Sequence, residues 1–172
     1  GLRIGEALAL RLSDVELGEA CLRIRETKFF KSRLVPLGTD LTGVLTEYLV
    51  KRNASYTSAE QAPFFCFRDG SPLSPSAARS AFRRLRAHAG VLREGGPRRQ
   101  PRLHDLRHAA AVHRLIAWYR CGADVQTLLP KLATYLGHVD LAATQRYLTL
   151  TPELLQQASR RFEHYAMEHH HD

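Results

Sequence analysis

The sequence predicts an α+β protein that is mainly helical and contains a small antiparallel β-sheet. Most of its apolar residues recur at intervals of three and four, which is the spacing of an amphipathic helix. Only two short stretches, residues 20–26 and 32–37, alternate apolar and polar side chains as strands do. With 172 residues, 44% of them hydrophobic and 24% charged, the chain is long enough for one substantial core.

One hairpin and seven helices are expected along the chain. The first helix begins at residue 2 and ends near Ser13, and the two alternating stretches then form a hairpin with a basic tip, TKFFK. Ser74-Pro75 is an N-cap followed by a first-turn proline, Asp124 caps a later helix, and Pro130 must kink or restart that helix. The helices after the hairpin cover residues 39–49, 75–90 and 103–120, a helix after Asp124, a short one within LGHVDLAATQRYL and a last amphipathic one from Thr151.

The charge of the chain favours a polyanionic partner. Its formal net charge is +8, and two basic clusters, RRLRAH at 83–88 and PRRQPR at 97–102, precede the segment at 103–113. We expect the contacts to come from Arg83, Arg84, Arg98 and Arg99. The three widely spaced cysteines offer no disulfide framework, and no apolar run of about 18 residues or charged leader is present. We therefore expect a cytoplasmic protein that makes no use of a membrane.

The segment LHDLRHAAAVH, residues 103–113, concentrates three histidines and an arginine in one predicted helix. His104 and His108 are four residues apart and share a helix face, as in the H-E-x-x-H zinc pattern, although Asp105 stands in place of the glutamate. Arg107 lies near the same face, where a guanidinium repels a dication but binds a phosphate. The segment by itself favours a phosphate site without excluding a zinc site.

Four stretches hold the polar residues that could carry chemistry. They are GLRIGEALALRLSDVEL, ETKFFKSRLVPL, LHDLRH and YLGHVDLAATQRYL, and they run from residue 1 to about 150. In this order they resemble the catalytic domain of the tyrosine recombinase (phage integrase) family. The resemblance implies that residues 1–172 form a DNA breaking and rejoining domain of this type, which acts on double-stranded DNA and needs no metal or other cofactor.

The resemblance also implies a role for each matching residue. Arg3 and Arg107 correspond to the two arginines of the family's phosphate clamp. Tyr147 corresponds to the nucleophile, and Lys28 to the hairpin lysine that protonates the leaving 5′ oxygen. The remaining matches are Glu6, the acidic residue that supports the first arginine, His104 of the H-x-x-R motif and His138 of the L-G-H motif.

This set of residues suits phosphodiester chemistry without a metal. A phosphodiester attacked in line gains negative charge on its non-bridging oxygens, which two bidentate guanidiniums stabilise. A tyrosine hydroxyl, with an ordinary pKa of about 10, needs a nearby base or cationic field to attack at neutral pH. From the sequence we expect Arg107→Ala to leave the fold standing and nearly abolish cleavage.

The sequence departs from the family pattern at two points. A glycine usually lies near the hairpin lysine, whereas Phe29 and Phe30 follow Lys28, so Lys31 is a rival for the role of acid. The family's N-terminal DNA-clamping helical domain is absent from this sequence. Because the sequence also begins with Gly rather than Met, we expect a fragment of a longer protein.

Alternatives of other classes stay open. A catalytically silent DNA-binding module derived from a recombinase would use only the basic surface. A type IB topoisomerase would use similar chemistry to relax supercoils without site preference, and a zinc hydrolase would need a third ligand, which the sequence does not show. The recombinase interpretation implies a homotetramer on DNA and association with the nucleoid, and it leaves open whether the last helix docks on its own domain or on a neighbouring subunit.

Overall fold

A computed structural model describes residues 1–25, 32–55, 59–138, 140, 142–145, 147, 155–156, 159–160 and 163. The chain divides into two compact units. The N-terminal unit is Leu2–His104, and the C-terminal unit is Gly1 together with Asp105–Asp172. Helices dominate both, and no helix among the described residues is long and apolar enough to cross a membrane.

The described residues of the N-terminal unit form a three-stranded sheet and three helices. Short 3₁₀ turns lie at Leu12–Asp14 and Pro97–Arg99. In chain order the helices and strands are α1 (Ile4–Leu8), β1 (Val15–Glu16), β2 (Cys21–Ile24), β3 (Arg33–Pro36), α2 (Thr39–Asn53) and α3 (Pro75–His88).

The sheet is antiparallel with the order β1-β2-β3, which confirms the predicted hairpin. Leu22 lies opposite Val35 and both are buried, whereas the neighbouring pair of Arg23 and Leu34 is exposed. This period of two is the alternation that the sequence shows. Sequence reasoning missed β1, because a strand of two residues is too short to establish a period. The core of the unit consists of Leu10, Leu22, Ile24, Val35, Leu45 and Phe64.

The predicted first helix is wrong in its extent, because α1 ends at Leu8 rather than near Ser13. The chain beyond it pairs with a distant segment: Leu12 donates to the carbonyl of Ala62 at 3.0 Å, and Phe64 donates to the carbonyl of Leu10 at 2.8 Å. These long-range backbone bonds replace the i to i−4 bonds that would have continued the helix. The predicted starts of α2 and α3 are confirmed, and Ser74 Oγ accepts from the N–H of Ala77 at 3.2 Å.

Among its described residues, the C-terminal unit includes the helices α4 (Asp105–Arg120), α5 (Val125–Leu136) and α6 (Ala142–Gln145). Asp124 caps α5 as predicted, accepting from the N–H groups of Gln126 and Thr127. Pro130 does not restart the helix, since α5 is continuous across it. Because proline has no N–H, the carbonyl of Gln126, four residues earlier, has no helical donor from this position. Gln126 is exposed and lies near the helix start. In the part of the unit that the structure describes, the core includes Ala111, Val112, Leu115, Ile116, Val125, Leu129, Leu132, Leu136 and Tyr147. The predicted start of the last helix at Thr151 lies outside the described residues.

Candidate active site

Arg3 lies directly before α1 and is bound to Glu6 twice. The Glu6 carboxylate accepts from the backbone N–H of Arg3 at 2.9 Å and from its Nη1 at 2.8 Å. The first contact belongs to a capping box, in which a glutamate at the third helical position reaches back to the residue before the helix. A glutamate three residues after Arg3, visible in the sequence, therefore fixes both the backbone and the side chain of this arginine.

A second arginine, Arg33 on β3, holds the same carboxylate. Its Nη1 and Nη2 lie 3.2 and 2.9 Å from Oε1 and Oε2 of Glu6, a bidentate contact. Both side chains are 9% exposed, whereas Arg3 is 39% exposed. None of the four sequence motifs gives Arg33 a role. One signal was available: Arg33 shares the inward face of its strand with Val35, where a guanidinium requires a partner.

These contacts keep the Glu6 carboxyl ionised. Burial raises its pKa, but the hydrogen bonds from Arg33 and Arg3, together with the positive charge of Arg33, outweigh burial, and the pKa lies below its ordinary value. Glu6 is therefore an anion at neutral pH and attracts both guanidiniums.

The structure gives less information about the other predicted residues of this unit. Lys28 and its rival Lys31 lie outside the described residues. His104 is exposed and lies immediately before Asp105, so α4 begins two residues later than predicted. His104 thus precedes the helix, while Arg107 lies in the first turn.

Arg107 is 4% exposed and binds two backbone carbonyls of the C-terminal unit. Its Nη1 donates to Gly1 at 2.7 Å and its Nη2 to Leu136 at 2.5 Å. Leu136 is the last residue of α5, so the guanidinium satisfies a carbonyl that the helix end leaves without an internal donor. Arg107 consequently ties α4 to the end of α5, two residues before His138.

Gly137 directs the chain from α5 to His138. It adopts the left-handed conformation at φ 70°, and the N–H of His138 donates to Ala133 at 2.9 Å, which closes the helix end. The glycine of the L-G-H motif is therefore required by backbone geometry, since a side chain is disfavoured at this φ.

Tyr147 is 4% exposed and lies between two histidine rings. Its ring is stacked with that of His138, with centroids 5.9 Å apart and planes at 21°. The ring of His108 meets it edge-on at 5.4 Å and 61°. His108 is half-buried and packs on the predicted nucleophile. The structure thus brings Tyr147, His138 and His108 together beside the helix end that Arg107 holds.

Thr144 is a further member of this group that sequence reasoning missed. It is fully buried, and its Oγ1 lies 2.7 Å from Nδ1 of His138. Nδ1 is therefore engaged, so a contact of His138 with a substrate must come through Nε2. A weak signal existed, because Thr144 stands three residues before Tyr147 in the segment that the sequence predicts as a short helix.

The predicted basic residues lie on the surface of the N-terminal unit. Gln100 braces the loop that carries two of them: its Oε1 accepts from the N–H of Arg93 at 3.1 Å and its Nε2 donates to Gly96 at 3.2 Å. The exposed residues are Arg83 and Arg84 in α3 and Arg98 and Arg99 in the turn Pro97–Arg99. Within the described parts of the chain, no group of three His, Cys, Asp or Glu side chains is arranged to hold a metal ion.

Several known proteins are similar in sequence. Residues 1–153 match the phage integrase family. A protein of Sinorhizobium fredii named as an integrase/recombinase, y4rB, is 44% identical over 164 residues, which cover 95% of this chain and 52% of y4rB. Tyrosine recombinase XerC of a Methylobacterium species is 34% identical over 158 residues, covering 92% and 44%. The chain spans about half the length of the curated relatives that it matches.

Solved structures extend the comparison to the fold. XerA recombinase superposes with a TM-score of 0.73 at 26% identity, covering 94% of this chain and 53% of XerA. XerH site-specific recombinase, solved on palindromic difH in a post-cleavage complex, gives 0.66 at 26% identity, covering 94% and 42%. These similarities confirm the predicted mainly helical α+β fold with its small sheet. The chain belongs to the phage integrase family, as its four motifs predict.

Proposed function

We propose that this chain is the catalytic domain of a site-specific DNA recombinase, which cuts and rejoins DNA through a covalent 3′-phosphotyrosine at Tyr147. The observation that carries the proposal is the placement of Tyr147 against His138 and His108, beside the α5 end held by Arg107. The recombinase names of the relatives and the DNA in the XerH structure support it. The proposed domain spans residues 1–172.

The proposed reaction is a transesterification. The hydroxyl oxygen of Tyr147 bonds to phosphorus, its proton passes to solvent, and the bond to the 5′ oxygen breaks. Lys28 supplies the proton that this leaving oxygen takes up. The reverse reaction, with the 5′ hydroxyl of another strand, rejoins the DNA, and the phosphotyrosine bond conserves the energy that rejoining requires.

The other residues take the roles that the family resemblance implies. Arg3 and Arg107 stabilise the negative charge that develops on the non-bridging oxygens, and His104 adds a hydrogen bond there. The ring of His138 is stacked on the phenol rather than directed at its hydroxyl, so we assign it to holding Tyr147 and to the phosphate through Nε2. Because Tyr147 is 4% exposed, DNA binding must bring its hydroxyl to the phosphate.

Double-stranded DNA is the proposed substrate, and the exposed arginines of α3 and the Pro97–Arg99 turn bind its backbone. Since exchange joins two duplexes and each duplex is cut in both strands, four copies of the domain are needed, which corresponds to a homotetramer on DNA. The proposed place of action is the nucleoid.

The proposal is tested by trapping the covalent intermediate. The probe is a labelled pool of nicked duplexes with random central sequence, because a nick lets the cut fragment diffuse away and prevents rejoining. The unchanged chain is expected to give a protein-linked band on a denaturing gel, and sequencing the linked DNA gives the target. Tyr147→Phe should give none, whereas the matched change Tyr119→Phe, at a half-buried tyrosine packed against the same core, should retain the band. Equal bands from both variants would refute the proposal.

A further inference from the structure

The Glu6 carboxylate is held by two arginines rather than one. The phosphate-clamp assignment accounts for Arg3, but the second arginine, Arg33, comes from β3, on a different element of the same unit. Each oxygen of Glu6 accepts two hydrogen bonds: Oε1 from Nη1 of both arginines, and Oε2 from the backbone N–H of Arg3 and Nη2 of Arg33. A carboxylate has about four acceptor positions, so Glu6 is saturated in a single orientation.

The two arginines differ in what they can do. The side chain of Arg33 is 9% exposed and its planar fork is matched to the carboxylate, which suits a fixed structural contact. The Arg3 side chain is 39% exposed and uses Nη1 on the carboxylate, so its guanidinium reaches the surface in a direction set by Glu6. Arg33 therefore fixes Glu6, and Glu6 in turn fixes Arg3.

We propose that Arg33 is a positioning residue for strand cleavage, which acts through Glu6 to orient Arg3 towards the scissile phosphate. The inference rests on the proposed function, because it assumes that Arg3 binds the phosphate. It predicts that loss of Arg33 slows the chemical step more than it weakens DNA binding. A small misplacement of a phosphate ligand costs roughly 10- to 100-fold in rate.

The experiment measures two quantities on the duplex recovered from the random pool. One is the single-turnover rate of adduct formation at saturating protein, and the other is the dissociation constant from fluorescence anisotropy, measured in the Tyr147→Phe background. The variants are Arg33→Ala, Arg33→Lys, Arg3→Ala and Arg3→Ala with Arg33→Ala. Arg23→Ala is the matched control, because Arg23 lies on the neighbouring strand β2 in a more exposed pair with Glu16, at 2.6 Å.

The expected result for Arg33→Ala is a rate about 10- to 100-fold below that of Arg23→Ala, with the dissociation constant changed less than threefold. Arg33→Lys should recover part of the rate, since it keeps the charge and loses the fork. In the Arg3→Ala background the loss of Arg33 should have no further effect, because the residue through which it acts is gone. If Arg33 had a purely structural role, its loss would slow adduct formation equally in the presence of Arg3 and in the Arg3→Ala background.

The outcomes separate this inference from the proposed function. If the unchanged chain forms no adduct, both fail together. If the unchanged chain forms the adduct but Arg33→Ala forms it as fast as Arg23→Ala, only the role of Arg33 is refuted. The same conclusion follows if Arg33→Ala slows adduct formation equally in the presence of Arg3 and in the Arg3→Ala background. Thermal unfolding checks that each variant is folded, and if Arg33→Ala does not fold, the same comparisons with Arg33→Lys decide the question.

Discussion

Because the guanidinium of Arg107 is buried, we expect its removal to lower the stability of the protein as well as its activity. Arg107→Ala removes the donors to the carbonyls of Gly1 and Leu136, at 2.7 and 2.5 Å, from a residue that is 4% exposed. A hydrogen bond from a charged group contributes about 1.5 to 3 kcal/mol, and part of the loss is recovered because a buried charge also disappears. We expect a net destabilisation of about 3 kcal/mol, which is roughly a 100-fold change in the ratio of folded to unfolded protein.

The assay is thermal unfolding followed by circular dichroism. A loss of this size corresponds to a fall in Tm of roughly 6 to 12 °C for a chain of this length. Arg114→Ala is the matched control, because Arg114 is an exposed arginine on the same helix, and its Tm should fall by about 1 °C or less. Arg107→Lys should lie between the two, since one ammonium cannot serve both carbonyls with the geometry of the fork.

The two results together decide what Arg107 does. Adduct formation should fall by about 10² to 10³ in Arg107→Ala, measured at a temperature where the variant is folded. If Arg107→Ala unfolds at the same temperature as Arg114→Ala, the two carbonyl contacts do not stabilise the unit and the reasoning from burial is refuted. The variant is still expected to fold, as predicted from the sequence, but with the lower stability that the loss of these two contacts implies.

Three further predictions concern other parts of the protein. Thr144→Val deletes the contact to His138 Nδ1, and it should lower the free energy of unfolding in urea by about 1 kcal/mol and slow adduct formation. Thr144→Ser keeps the hydroxyl and should retain most of the stability and of the rate. Equal effects of the two variants would show that the hydroxyl contact contributes to neither. Duplex binding should weaken steeply with salt, and Arg83→Ala or Arg98→Ala should each reduce the log–log slope by about 0.9; an unchanged slope removes that residue from the interface. The lowered pKa of Glu6 means that its ion pairs contribute stability above the ordinary value of 4.5, and that this stability is lost as the pH falls through the lowered value. Glu6→Gln should therefore flatten the acid limb of Tm against pH, and an unchanged limb would contradict this.

The sequence predicted those parts of the fold that depend on local signals. The alternation in β2 and β3 and the Ser74 and Asp124 caps depend on residues a few positions apart, and all are seen. The end of α1 could not be predicted, because it is set by backbone bonds to residues 60–64 that lie about 50 positions away. No local pattern contains that information.

The residues of the candidate site likewise divide into those with a local sequence signal and those without one. Arg3, Arg107, His138 and Tyr147 were predicted as site residues because short motifs carry them. The partners that hold them were missed: Arg33 reaches Glu6 across 27 positions, and the carbonyls that bind Arg107 belong to residues 29 and 106 positions away. Backbone carbonyls have no sequence signature, so such supporting contacts become visible only in three dimensions.

The most direct test of the account is to identify the residue that becomes joined to DNA. The unchanged chain is incubated in EDTA with the duplex recovered from the random pool, the adduct is digested with trypsin and a nuclease, and the modified peptide is sequenced by mass spectrometry. We predict a single modified peptide in which Tyr147 carries a 3′-linked nucleotide, formed at the same rate with and without chelator. A nucleotide on any other residue, a 5′ linkage, or an adduct that disappears in EDTA would contradict the central claim.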